Sequence, residues 1–138
     1  MSIPFEKIEA ECASFAPLDD LAKDRLQRYA ELLLEWNEKM NLTAITEPQD
    51  IAVKHFLDSL MFFKYTDVPT AASIIDIGTG AGFPGIVLKI ARPDIKLTLL
   101  DSLQKRVNFL RAVCDELGFN DVETVHSRAE DGARTFRE

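Results

Sequence analysis

Cysteine is scarce, with two in 138 residues. Cys12 and Cys114 fall in apolar patterns of helical spacing, so they read as buried thiols of a reducing compartment, not as a disulfide framework. Two histidines and two cysteines scattered without ligand spacing exclude a metal set. No apolar run reaches the roughly 18 residues of a membrane helix. Nothing near Met1 resembles a secretory signal, so a soluble, intracellular chain is expected. Disorder is excluded by composition, since 46% of the residues are hydrophobic. Positive charge is in deficit too: 16 Lys and Arg stand against 23 Asp and Glu, a net charge of −7. That argues against a generally basic nucleic-acid binder. The deficit is uneven, with 7 bases against 13 acids in residues 1–70 and 9 against 10 in residues 71–138. A polyanion would have to meet a local basic face.

What is present centres on Ser73-Ile74-Ile75-Asp76-Ile77-Gly78-Thr79-Gly80-Ala81-Gly82-Phe83-Pro84-Gly85. The β-branched Ile74, Ile75 and Ile77 suit a buried strand of a parallel sheet. Glycines at 78, 80 and 82 permit positive φ and remove side chains that would hold a ligand away. Pro84 fits the first turn of a helix. Strand, loop and helix start together predict several free N–H groups around one point, suited to a carboxylate or phosphate.

Before this stretch the pattern is helical. Phe5, Ile8, Cys12 and Phe15 predict a short helix ended by Pro17. Ala22, Leu26, Tyr29, Leu33, Trp36 and Met40 predict a longer one, capped by Asp19 or Asp20. Thr46-Glu47-Pro48-Gln49 matches a capping box that opens a third, with Ala52, Phe56, Ser59, Leu60 and Phe63 as its buried stripe. After a linker around Pro69 the period changes. Strand 74–77 leads into a helix from Pro84 to about Ala91, and Ile95–Leu100 forms a second strand. Ser102 is placed to cap a helix with the stripe Val107, Leu110, Cys114 and Leu117, ended by Gly118. Val122–Val125 is a third strand. The order β-α-β-α-β predicts a doubly wound parallel sheet with its site at the strands' carboxyl ends. Residues 1–66 are thus expected as a helical extension, and 67–138 as the first half of a cofactor-binding domain whose later strands are missing.

Asp101 ends the second strand, where a doubly wound fold receives a nucleotide ribose. Gly80-Ala81-Gly82-Phe83-Pro84-Gly85 matches the dinucleotide fingerprint in letters, so an NAD-dependent oxidoreductase is one reading. Asp76 counts against it, because a carboxylate beside a pyrophosphate adds repulsion. S-adenosyl-L-methionine carries a sulfonium and an ammonium for Asp76, a carboxylate for the loop amides and a ribose for Asp101. Its charges match better. A non-catalytic binding module is the third reading.

Asp76 to Gly85, Leu100-Asp-Ser-Leu-Gln-Lys-Arg106 and Ser127-Arg-Ala-Glu130 resemble the bacterial ribosomal small-subunit methyltransferase G family, also called glucose-inhibited division protein B. Trp36-Asn37, Asn41-Leu42-Thr43 and Lys54-His55-Phe-Leu-Asp58-Ser59-Leu60 resemble that family's helical extension. The resemblance covers about residues 25 to 131. It implies a class I, Rossmann-like methyltransferase fold and transfer of a methyl group from S-adenosyl-L-methionine to guanine N7 of small-subunit (16S) ribosomal RNA. It further implies a cytoplasmic enzyme, monomeric at full length, with the ribosomal RNA or subunit as partner and no membrane association. Carried over by residue, Gly78 and Phe83 are similar to loop contacts to the cofactor, beside Asp76 and Gly80. Asp101 and Ser102 are similar to a ribose-binding pair, and Ala129 and Glu130 to the dipeptide bordering the adenine. Family members continue past Glu138, so this chain is expected to lack part of the pocket and to be catalytically incomplete.

His55 and Asp58 stand one helical turn apart and could face the site or bond each other, with a structural role read first for the histidine. His126 lies outside any constellation. Lys105, Arg106 and Arg111 are readable as RNA-phosphate contacts or as a solvated helix face. No general base is expected: guanine N7 carries a lone pair and no proton, so alignment of nucleophile, methyl and sulfur suffices.

Overall fold

Apolar residues at helical spacing fold the chain up to Tyr65 into helices, and a computed structural model describes residues 1–128. Helix α1 (Phe5–Cys12) buries Ile8 and Cys12. Helix α2 (Asp20–Asn37) is capped by Asp19, whose Oδ1 accepts the Ala22 amide at 2.8 Å. The predicted stripe is buried at Ala22, Leu26, Tyr29 and Leu33, and widened by Ala30 and Leu32. Trp36 packs edge-on against Phe109 at 5.6 Å, while Met40 lies past the helix end.

The third helical region departs from the regular helix expected. It consists of α3 (Pro48–Asp50), a π-helix (Ile51–Leu57), α4 (Asp58–Leu60) and α5 (Phe62–Tyr65). The capping box does not form: Glu47 is the N-cap and makes no side-chain cap bond. Pro48 opens the helix instead, because its missing N–H is one of those left over at a helix start. Thr46 is then one residue too far out to act as cap. In the π-helix the Asp58 amide reaches back five residues to the Val53 carbonyl. Ile51 and Phe56, five apart, therefore both enter the core.

Three strands follow, β1 (Ser73–Ile77), β2 (Lys96–Asp101) and β3 (Glu123–His126), all parallel in the order β1-β2-β3. Asp76 pairs in register with Leu99, and Leu99 with Thr124. Helices α6 (Gly85–Ala91) and α7 (Gln104–Leu117) make the crossovers, and α2 packs on both. Two right-handed crossovers stepping the same way place both helices on one sheet face. This corrects the expectation of a fully buried first strand: Ile75 and Ile77 are 41% and 48% exposed on the opposite face. Central β2 buries Leu97, Leu99 and Leu100. The described chain thus has a three-stranded parallel α/β sheet preceded by helices.

One core joins the helical extension to the sheet layer, with Tyr29, Leu33 and Phe56 in the same cluster as Val87, Leu99 and Phe109. Each such large side chain removed from water contributes about 1.5–3 kcal/mol. Polar ties span the same boundary. Arg25 donates to the Leu117 carbonyl at 3.0 Å and lies over Phe119. Gly118 ends α7 with φ +78°, as predicted for a left-handed cap. Buried Lys89 donates to the carbonyls of Pro93 and Ile95 and to Asp121, all within 2.7 Å, so its charge is fully partnered. Cys12 and Cys114 are buried free thiols, and burial pushes Cys114 up to about 12. No described helix is long and apolar enough to cross a membrane.

Candidate functional site

The carboxyl ends of β1 and β2 meet under residues 78–85, and two aspartates hold this loop from below. Asp76 Oδ2 accepts the Gly85 amide at 2.9 Å and the Thr79 hydroxyl at 2.7 Å. Asp101, 2% exposed, accepts the Gly80 amide on Oδ2 at 2.9 Å and the Leu103 amide on Oδ1 at 3.0 Å. The Arg106 guanidinium stands 3.5 Å from the same Oδ1. Burial raises the Asp76 carboxyl above its ordinary value, against the pull of Thr79 and Gly85, and the nearby Asp101 charge adds to the rise.

These bonds correct the expectation of several free amides. Gly78 and Thr79 donate to the Leu100 carbonyl, Gly82 and Phe83 to that of Thr79, and Gly80 and Gly85 to the two aspartates. Four of these amides go to backbone carbonyls of β2 and of the turn, and the acids, on the helix-facing side of the sheet, take the other two. Pro84 is the N-cap of α6, not its first residue. Ser102 does not cap α7; Leu103 is the N-cap, and its amide is taken by Asp101. Ser102 is exposed, and its carbonyl shares a 3.0 Å hydrogen bond with His126 Nε2.

The four glycines of the loop divide by surroundings. A Cβ on Gly82 would lie 2.5 Å from the Tyr29 hydroxyl, and one on Gly85 would lie 2.7 Å from Leu99. Gly78 and Gly80, at φ +69° and +61°, have no atom within 4 Å of that position among the described residues, their chain neighbours aside. One side of the loop is packed and the other is open.

A family profile described as GidB, rRNA small subunit methyltransferase G, matches residues 22–137. The chain belongs to the rRNA small subunit methyltransferase G family. It is 50% identical over 133 residues to the ribosomal RNA small subunit methyltransferase G of Clostridium perfringens (strain 13 / Type A), covering 94% of this chain and 55% of that protein. The proteins of the same description from Desulforamulus reducens and Alkaliphilus metalliredigens are 56% and 57% identical, over 76% and 83% of this chain and 44% and 48% of theirs. The chain spans about half the length of the curated relatives it matches.

Asp76, Gly78, Gly80, Asp101 and Ser102 converge at the strand ends. Ala129 and Glu130 lie outside the described residues. Phe83 turns instead towards the helical extension, where its ring stacks on His55 (centroids 4.2 Å apart, 4° between planes) and on Tyr29 (5.4 Å). The Tyr29 hydroxyl, fully buried and held neutral by that burial, donates to the Ala81 carbonyl. His55 shares a 2.8 Å hydrogen bond with Thr43, and Thr43 and Leu42 both donate their amides to Asn37 Oδ1. Burial lowers the His55 pKa, partly offset by the Asp58 charge. His55 and Asp58 share no hydrogen bond.

The aromatic column borders a cleft of about 500 Å³ lined by Lys54, His55, Asp58, Tyr65, Phe83 and Pro84, among others. Sequence reasoning missed Tyr29, Thr43 and Thr79 as parts of the site. The Trp36-Asn37 and Asn41-Leu42-Thr43 motifs were the available signal for the second of these. The basic cluster on α7 is dispersed: Arg106 turns to Asp101, Arg111 donates to Thr124 at 2.9 Å, and Lys105 is exposed.

Proposed function

We propose that this chain carries the cofactor-binding part of an enzyme that methylates guanine N7 in 16S ribosomal RNA, with S-adenosyl-L-methionine as donor. The observation that carries the reading is the family match over residues 22–137, whose glycine loop is pinned between two strand-end aspartates. The shape of the loop supports the donor. Open space beside Gly78 and Gly80 leaves backbone accessible on the side away from the core, and a side chain at either position would fill it. Asp76, Gly78, Gly80, Phe83, Asp101 and Ser102 are the residues assigned to hold the donor, with Ala129 and Glu130 bordering its adenine.

When bound, S-adenosyl-L-methionine supplies a methyl group on a sulfonium, ready for displacement. The chain's own task is placement. Asp101 and Asp76 fix the loop, Gly78 and Gly80 allow close approach, and the rings of Phe83, Tyr29 and His55 keep water from the loop's inner side. No proton has to be removed from N7, which agrees with a histidine that is stacked, hydrogen-bonded and held neutral. The dinucleotide alternative is disfavoured because the Gly85 amide, which would face a pyrophosphate at the start of α6, is taken by the Asp76 carboxylate.

Calorimetric titration decides between them. Heat with S-adenosylhomocysteine and none with NADH supports the reading; heat with NADH alone overturns it. Methyl transfer from labelled donor to small-subunit RNA then tests whether these 138 residues suffice. Cytoplasmic location and a monomeric full-length state are part of the same proposal.

A further inference from the structure

Asp58 is the charged group at the cleft with no use in the fold. Among the described residues its carboxylate makes no hydrogen bond and no ion pair, whereas neighbouring Lys54 lies 3.8 Å from Asp50. It lines the cleft beside His55, the last ring of the Tyr29–Phe83–His55 column, and beside Tyr65, which is 76% exposed. A volume of about 500 Å³ admits a nucleotide. Flat rings offer a stacking surface to a base, and an unpaired carboxylate offers only acceptors.

Guanine is the base that presents two adjacent donors, N1–H and the N2 amine, on its Watson–Crick edge. Adenine presents an acceptor at N1 and cytosine one at N3, so both would repel a carboxylate placed there. Guanine N7 lies on the opposite edge. A base held by its Watson–Crick edge therefore keeps N7 exposed.

We infer, on the basis of the methyl-transfer reading above, that the cleft receives the target guanine and that Asp58 selects it by accepting from N1–H and the N2 amine. His55 or Tyr65 stacks on the base, and Lys54 faces its phosphate. Asp58 is then a specificity residue, distinct from the groups assigned to the donor.

Amide shifts of the ¹⁵N-labelled 138-residue chain, titrated with 5′-GMP, 5′-IMP and 5′-AMP, test this. GMP is expected to move the amides of Asp58, Ser59 and Phe83 and to bind about tenfold more tightly than AMP, the scale of one good bidentate contact. IMP, lacking the N2 amine, is expected between them. Asp58→Asn, on an exposed helix position, should keep the spectrum folded and erase the preference. Equal affinity for GMP and AMP, an unchanged preference in Asp58→Asn, or shifts confined to other residues would each overturn the assignment. So would displacement of GMP by S-adenosylhomocysteine, which would give the cleft to the donor. Loss of S-adenosylhomocysteine binding with the GMP preference intact would instead overturn the donor reading alone.

Discussion

The two halves of the glycine loop face opposite demands, although their residues look alike in one dimension. Gly82 and Gly85 are glycine because Tyr29, Ile86, Leu99 and Asp76 leave no room for a methyl group. Gly78 and Gly80 have room and are glycine because their φ lies in the left-handed region, and because the open side must stay open if a ligand is to touch backbone. The acids hold both halves: Asp76 ties the packed half through Gly85 and also accepts from Thr79, and Asp101 ties the open half through Gly80. An alternating-glycine motif thus combines a packing constraint with a conformational one that leaves backbone open.

Substitution separates them. Gly82→Val meets both a clash and positive φ (+101°), so its loss of stability in chemical denaturation should be the largest, about 4 kcal/mol from overpacking plus backbone strain. Asp76→Ala leaves the Gly85 amide and Thr79 hydroxyl without their acceptor and should cost about 2–3 kcal/mol by the same measurement. Gly80→Val meets strain but no clash. A cost of about 2 kcal/mol is expected, with helical circular dichroism retained and S-adenosylhomocysteine binding lost in calorimetry. If Gly80→Val binds normally, or destabilises as much as Gly82→Val, the division of the loop fails.

The smallest effect is a pH dependence on the packed half. Burial holds the His55 pKa below its ordinary 6.5, so the folded state favours the neutral ring. Its contribution is fully present above 6.5 and is lost as pH falls through the lower folded value. Stability should therefore decline as pH falls below 6.5, and His55→Phe, which keeps a ring against Phe83, should remove that part of the slope. An identical slope in the variant would assign the effect to other groups.

Much of this was legible in one dimension. Periodicity placed α6, α7 and all three strands to within a residue or two, whereas the stripes read for α1 and α2 ran to Phe15 and Met40, three residues past the helix ends at Cys12 and Asn37; Asp19 and Gly118 acted as the predicted caps. Errors arose where two local signals compete. Ser102 and Thr46 are good capping residues, but Asp101 takes the amide of Leu103, the N-cap of α7, and Pro48 sets the start of α3. The π-helix left no readable mark, since its longer turn changes the burial phase by only one residue over Ile51–Leu57. The column of Tyr29, Phe83 and His55 could not be read either, because Tyr29 and Ala81 are 52 residues apart.

By itself the sequence determined the order of helices and strands, the glycine loop between them and the family, because each rests on short-range spacing or on a linear motif. Only the tertiary structure decided which glycines are packed and which are open, that the two acids hold amides of their own loop, and that Asp58 lines a cleft with no partner among the described residues. Those facts depend on what the core brings within a few ångströms of each residue, and a linear pattern carries no such distances.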